Sequence, residues 1–507
     1  MDSSQNSKLQ MFFFPYILGG HLIPMIDLAR VFASHGAKAT IVTTPHNALL
    51  FQKPIERDQQ LGHDIGFHTL DFPAEEFGLP DGCENELNTT SGVMFAKLFE
   101  ATMKVLQRPL EQLLIQTQPD CFVSDRLYPW TAQVANKLGV PRIVFDGTGC
   151  FSHCVEESIR RHSPHEKALS DTEPFVLPGL PDKIELKRSM LPNYVKTVDI
   201  FTYFLNEALE GELHSYGVVV NSFYELEQRY ADYFTHEMGR KTWHIGPVSL
   251  CNRNNIDKVE RGIKTTIDEL SVLNWLDSKQ PNSVLYISFG SMPRITPLQL
   301  LEIAHGLETS NHPFIWVVGR ILNSSDDEGK EDNNNLLPPK FEERLKISRR
   351  GLVIKGWAPQ LLILEHPAIG GYMNHCGWNS IIEGVTAGVP MITWPFASEQ
   401  FYNERFVIDV IKVGMSIGNE EYWEPWKALP RVTVKREQVT NVVNRLMGGE
   451  DEKVLEMRKK ARGFAEKARK AVEKGGSSYG SVVSFIEELK SCRRRRNGVE
   501  ESAGEEC

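Results

Sequence analysis

Short apolar runs, each closed by Gly, Pro or Asp and followed by helical spacing, recur along the first half of the chain and begin again in the second. This alternation is the pattern of strands joined by crossover helices, and it confines the chain to parallel sheets covered on both faces. Leu9 to Tyr16 reads as the first strand; after the Gly19-Gly20 break, Pro24 can open a helix to about His35, since Pro suits a first turn. Ala39 to Thr43, Cys121 to Ser124, Arg142 to Phe145 and Val218 to Asn221 are the next predicted strands. The second half predicts strands at Ser283 to Phe289, Phe314 to Val318, Leu352 to Lys355, Ala368 to Met373 and Pro390 to Thr393, with a helix over Pro297 to Thr309. The expected fold class is α/β: two doubly wound parallel-sheet domains facing a central cleft, consistent with a length of 507 residues.

Punctuation sets the expected boundaries. Gly246-Pro247 and the polar run Asn252 to Arg261 read as a linker over 250–263, between an N-terminal domain (1–249) and a C-terminal one (264–475). Lys453 to Lys474 has helical spacing. Gly475-Gly476 then separates it from a final helix near Ser481 to Leu489, within a 476–492 segment expected to pack back on the N-terminal domain. Arg493 to Arg496, beside Glu500, Glu501, Glu505 and Glu506, reads as part of a disordered tail over 493–507. Ser324 to Asn335, acidic and Asn-rich, reads as a surface loop.

Composition narrows the partners. A formal net charge of -10 argues against nucleic acid, which demands clustered Lys and Arg. Eight cysteines without a C-x-x-C point to a reducing compartment, so a cytoplasmic location is expected. The chain is also expected to be a monomer. Met11 to Leu18 is too short to span a bilayer and lacks the basic flank and cleavage site of a signal peptide, so no transmembrane segment is expected.

In open parallel sheets, ligands bind beyond the carboxyl ends of the strands. There, Asn374-His375-Cys376-Gly377-Trp378-Asn379-Ser380 follows a predicted strand and opens a helix through Ile381 to Ala387. A helix N-terminus favours bound phosphate, Gly377 permits close approach, and His375, Asn379 and Ser380 add donors, so the segment reads as a diphosphate site. Capping is the bland alternative for any one of these residues.

The stretch from Trp357 to Gln400 spans 44 residues, and its WAPQ, HCGWNS, EG, GVP, WP and EQ elements resemble the donor-binding box of plant secondary-metabolite UDP-glycosyltransferases. The resemblance implies the GT-B fold, two Rossmann-like domains with the UDP-sugar on the C-terminal one. It implies that Trp357, beside Ala358, stacks on uracil, that Gln360 and Glu383 reach the ribose, and that His375, Asn379 and Ser380 contact the diphosphate. Trp378, Glu399 and Gln400 would contact the sugar, a Gln at the last position accompanying glucose in the family. Ser288-Phe289-Gly290-Ser291 resembles a second phosphate loop, which brings in Ser291. Gly20-His21-Leu22-Ile23-Pro24 resembles the catalytic-histidine loop. A neutral imidazole can take the proton of an acceptor hydroxyl as its oxygen attacks the anomeric carbon, and Asp125 can orient His21 and support its charge. The implied activity is inverting, metal-independent transfer of a sugar, with glucose the expected one, to a hydroxyl of a small lipophilic metabolite. The UDP-sugar is then a co-substrate, and no cofactor is expected. Likeness is to the group acting on triterpenoids and flavonoids, a flavonoid or phenolic acceptor being the alternative to a triterpenoid. The chain departs from the family at Tyr372, Met373, Asn374 and Ile382, where Phe, Val or Leu, Thr and Leu are more usual. Arg126 stands where an apolar residue is commoner and is expected to alter the acceptor pocket.

Other readings fare less well. Gly476-Ser477-Ser478-Tyr479-Gly480 fits G-x-S-x-G but follows a helix, so no nucleophile elbow forms. A glycoside hydrolase needs two flanking carboxylates that nothing singles out. A non-catalytic sugar-nucleotide binder is expected to have lost His21, which is present.

Overall fold

The computed structural model describes residues 8–89, 91–145, 147–262, 264–291, 295–318, 337–423, 431–449 and 451–496. They form two compact units, one from the described residues of Met1–Cys150, Val198–Gly262 and Arg469–Cys507, the other from those of Phe151–Thr197 and Ile263–Ala468.

The strands of the first unit are β1 (Gln10–Phe14), β2 (Lys38–Thr43), β3 (Ile65–Thr69), β4 (Cys121–Asp125) and β5 (Arg142–Phe145). A short antiparallel pair, β6 (Pro174–Val176) and β7 (Glu185–Lys187), belongs to the second unit, and β8 (Gly217–Val220) and β9 (Thr242–His244) complete the first. The seven strands of the first unit are parallel, in the order β3-β2-β1-β4-β5-β8-β9. β1 is apolar and buried from Met11 onward, as a strand covered by helices on both faces must be. Phe13 lies beside Ile41 on one side and Val123 on the other. The chain thus steps outward through β2 and β3, then returns to the opposite side of β1. That reversal opens a crevice beyond the carboxyl ends of β1 and β4.

The second unit repeats the plan. β10 (Val284–Ser288), β11 (Phe314–Val318), β12 (Gly351–Lys355), β13 (Ile369–Asn374), β14 (Met391–Thr393) and β15 (Gly414–Ser416) form a parallel six-stranded sheet in the order β12-β11-β10-β13-β14-β15. Its reversal lies between β10 and β13. Trp316, Trp394, Phe289 and Phe396 belong to the core on one face of this sheet.

Four sequence expectations change. The first helix begins at Gly19, upstream of Pro24, and runs to Ser34. Leu18 offers no side-chain cap, but the buried Glu86 carboxylate accepts the Gly19 N–H, so the start is fixed from outside and Pro24 removes only one interior bond. The stretch expected as a linker holds a helix, Asn255–Val259, capped by Asn254 and packed into the first unit. Arg57 pairs with Asp257 at 2.7 Å, Arg261 with Asp27 at 2.7 Å, and Arg30 donates to Asn252 Oδ1 and Asp58 Oδ2 at 2.6 Å each. Residues 151–197, placed by sequence with the first domain, cluster with the second unit: Ser152 Oγ donates to Asn403 Oδ1 at 2.6 Å, and the rings of Phe151 and Phe406 lie 5.2 Å apart. Finally, the last helix spans Ser477–Arg496, because Arg493 pairs with Asp120 at 3.2 Å and Arg496 donates to the Asp120 carbonyl at 3.0 Å. The predicted loop 324–335 and the rest of the predicted tail, 497–507, lie outside the described residues.

Candidate active site

In the first unit, His21 sits in the opening turn of the helix that follows β1, and Asp125 ends β4, the neighbouring strand across the reversal. Although 104 residues apart in sequence, His21 Nδ1 and Asp125 Oδ2 lie 2.8 Å apart. Asp125 is fully buried, whereas His21 keeps 22% of its side chain exposed. The other Asp125 oxygen accepts the Leu127 N–H at 2.9 Å, which fixes the carboxylate plane. Behind the pair, the buried Arg142 donates to Ser124 Oγ and Thr131 Oγ1 at 2.8 Å each, and to the Asp125 carbonyl at 3.2 Å. Burial lowers its guanidinium to about 10, opposed by Glu212 and Asp125, so it stays charged at neutral pH. The buried Tyr16 ring meets His21 edge-on at 6.0 Å, its phenol held above the usual range by burial and then by the Asp125 charge. Gly147, at φ +74°, passes so close to the helix start that a Cβ there would lie 3.3 Å from the Gly20 carbonyl. Arg126 pairs with the buried Glu212 at 3.4 Å.

In the second unit, β13 leads through His375, Cys376 and Gly377 into the helix Trp378–Ala387. Asn374 Oδ1 accepts the Cys376 N–H at 2.9 Å, and Cys376 takes φ +64°, so the chain turns sharply before the helix starts. Gly377, the N-cap, has no side chain to cap with, which leaves the opening N–H groups and the positive end of the helix dipole for an anion. The His375 ring is seated between two glycines. A Cβ on Gly377 would lie 2.5 Å from its Nε2, and one on Gly290, in the loop after β10, 2.6 Å from its Cε1. Burial pushes this imidazole down to about 4, and its Nδ1 has no hydrogen-bond partner among the described residues. His375 is therefore neutral at physiological pH, a hydrogen-bonding group and not a cation.

Around this turn the predicted donor residues are linked to one another. Gln360 Nε2 donates to Glu383 Oε2 at 2.7 Å. Trp357 is part-exposed, and its carbonyl accepts from the Thr266 N–H at 3.1 Å, which ties its loop down beside buried Ala358. Gln400 Oε1 accepts the N–H groups of Phe396 and Ala397 at 2.9 and 3.0 Å, which leaves the amide N–H groups of the side chain for a ligand. Asn403 Nδ2 donates to the Cys376 carbonyl at 2.9 Å and to Glu399 Oε1 at 3.3 Å, joining the His375 turn to Glu399. Trp378 is 2% exposed and packs on Phe406, so its backbone, not its ring, is what the turn presents. Asn379 is part-exposed on the first turn, Ser380 is buried behind it, and Ser291 is part-exposed in the Gly290 loop. Asn403, Thr266 and Tyr286 gave no signal in the sequence. Tyr372 did, as a departure from the family's usual Phe.

Two Rossmann-like sheets with sites at their reversals define the GT-B class of fold. The family model for UDP-glucoronosyl and UDP-glucosyl transferase matches residues 85–415. The abscisate beta-glucosyltransferase of Phaseolus angularis is 47% identical over 484 residues, covering 96% of this chain and 97% of that protein. The anthocyanin 3'-O-beta-glucosyltransferase of Gentiana triflora is 44% identical over 487 residues, covering 96% and 99%. The solved structure of Glycyrrhiza uralensis UGT73P12 complexed with glycyrrhetinic acid 3-O-monoglucuronide matches with a TM-score of 0.90 at 42% identity, covering 97% of this chain and 98% of that one. The chain belongs to the plant UDP-glycosyltransferase family and is a UDP-dependent glycosyltransferase. No helix among the described residues is long and apolar enough to cross a membrane.

Proposed function

We propose that the enzyme transfers glucose from UDP-glucose to a hydroxyl of a small lipophilic plant metabolite, a triterpenoid or flavonoid, with inversion and without a metal ion. The observation that carries this reading is His21 Nδ1 at 2.8 Å from the fully buried Asp125. With Nδ1–H donated to the carboxylate, Nε2 is the basic nitrogen, and it takes the acceptor's proton as the oxygen attacks C1 of the sugar. The C1–O bond to phosphate breaks, UDP leaves with the electron pair, and Asp125 supports the imidazolium that forms. A single displacement on an α-linked donor yields a β-glycoside. On the donor side, Trp357 stacks on uracil, Gln360 and Glu383 bind the ribose, and the turn from His375 to Ser380 binds the diphosphate through neutral donors and helix N–H groups. Glu399 and the Gln400 N–H groups meet sugar hydroxyls. The relatives named for abscisate and anthocyanin, and the ligand of the Glycyrrhiza structure, support a small plant metabolite as acceptor.

Incubation with UDP-glucose, a chelator and a panel of triterpenoids and flavonoids tests the proposal, read by mass spectrometry and by the anomeric proton coupling of the product. UDP release only in the presence of an acceptor, with a β-linked glucoside formed, is the expected result. An α-linked product overturns inversion, and release without acceptor makes the enzyme a hydrolase.

A further inference from the structure

Tyr286 and Tyr372 are register partners on β10 and β13, stacked with ring centroids 5.2 Å apart and planes 21° apart. Both are buried, and both hydroxyls donate to one acceptor, Gln360 Oε1, at 3.3 and 3.0 Å. That leaves the Gln360 Nε2 to donate to Glu383 Oε2 at 2.7 Å. Burial holds both phenols well above the usual tyrosine range, so they remain donors at neutral pH. A primary amide has two orientations that differ only in which end carries the oxygen. Turned the other way, Gln360 would set its oxygen against the Glu383 carboxylate and leave both tyrosine hydroxyls without the acceptor they share. The tyrosine pair therefore selects one amide orientation and, through it, one carboxylate orientation.

We infer that Tyr372, seconded by Tyr286, is a positioning residue that holds Gln360 and Glu383 in the arrangement that reads the ribose hydroxyls of the donor. This rests on the reading of Gln360 and Glu383 as ribose contacts. Tyr372 makes the shorter bond, so it is the dominant member. Tyr372→Phe removes only the hydroxyl and keeps the ring that stacks on Tyr286, so the variant is shaped to fold.

The test compares Tyr372→Phe and Gln360→Ala with the unmodified enzyme for binding of UDP, 2′-deoxy-UDP and 3′-deoxy-UDP by calorimetry, with donor kinetics alongside. Loss of one buried hydrogen bond predicts UDP binding weaker by about three- to tenfold in Tyr372→Phe. It also predicts a reduced preference for UDP over the deoxy nucleotide that Gln360→Ala no longer discriminates, and a raised KM for UDP-glucose at unchanged kcat. If Gln360→Ala abolishes the ribose preference while Tyr372→Phe keeps it in full, the positioning role is overturned and the ribose reading stands. If Gln360→Ala itself leaves the preference intact, the ribose reading falls and the inference falls with it. A Tyr372→Phe variant that loses kcat with KM unchanged also overturns it.

Discussion

His21 and His375 each lie at the reversal of a parallel sheet, His21 in the helix that follows β1 and His375 directly after β13, and the surroundings of the two imidazoles differ sharply. His21 keeps part of its ring in solvent and has a buried carboxylate 2.8 Å from Nδ1. His375 is packed between Gly290 and Gly377, has no partner for its Nδ1 among the described residues and is held neutral by burial. One is equipped to gain a proton, the other to avoid one. A doubly wound sheet says where chemistry belongs; the groups facing the imidazole say what chemistry it is.

The contrast is tested most severely at His21. His21→Ala is expected to lower turnover with an alcohol acceptor at least about 100-fold, while UDP affinity by calorimetry stays within about twofold. Asp125→Asn keeps the shape but not the charge and should cost less. Near-normal turnover in the Ala variant would remove His21 from proton transfer and erase the distinction between the two rings. On the other side, Gly377→Ala sets a Cβ 2.5 Å from His375 Nε2. Relieving that overlap displaces the ring from its seat, so UDP affinity should fall by more than about tenfold. Unchanged affinity would mean that the seat of the ring does not matter to the donor. The smallest expected effect sharpens the picture at the base: Trp357→Ala removes a stacking surface worth about 1 to 3 kcal/mol, for a loss of roughly tenfold shared equally by UDP and UDP-glucose. Unequal losses in the two titrations would place the indole at the sugar.

What the sequence revealed follows from how far apart the cooperating residues lie. β5 and β11 were read to the residue because apolar runs with clear Gly or Pro boundaries leave little choice. β3 was missed because it is a part-exposed edge strand, and β9 because three residues carry no periodicity. The donor box was legible because its residues lie within one contiguous stretch. The bonds that orient them were not: Tyr286 to Gln360 spans 74 positions, and Ser152 to Asn403 spans 251. Composition misled at 252–261, where polarity suggested a tether and the charges turned out to be ion-pair partners for Asp27, Arg30 and Arg57.

The closing helix bears on how the protein is made. Phe485 fills a place between Phe32 and Trp243, with ring centroids at 5.2 and 4.7 Å, and Ser478 Oγ donates to the Gly246 carbonyl at 2.6 Å. During synthesis, then, the unit containing the amino-terminal strands cannot be finished until Ser477–Arg496 has left the ribosome, although its sheet emerges first. The other unit, complete by Ala468, has all its parts earlier. All segments of the carboxyl-terminal unit are therefore available before all those of the amino-terminal one, the opposite of the usual sequence of domains in vectorial folding. A fragment ending before Ser477 would display Phe32 and Trp243 to water, making it a poor choice for expressing the first unit alone.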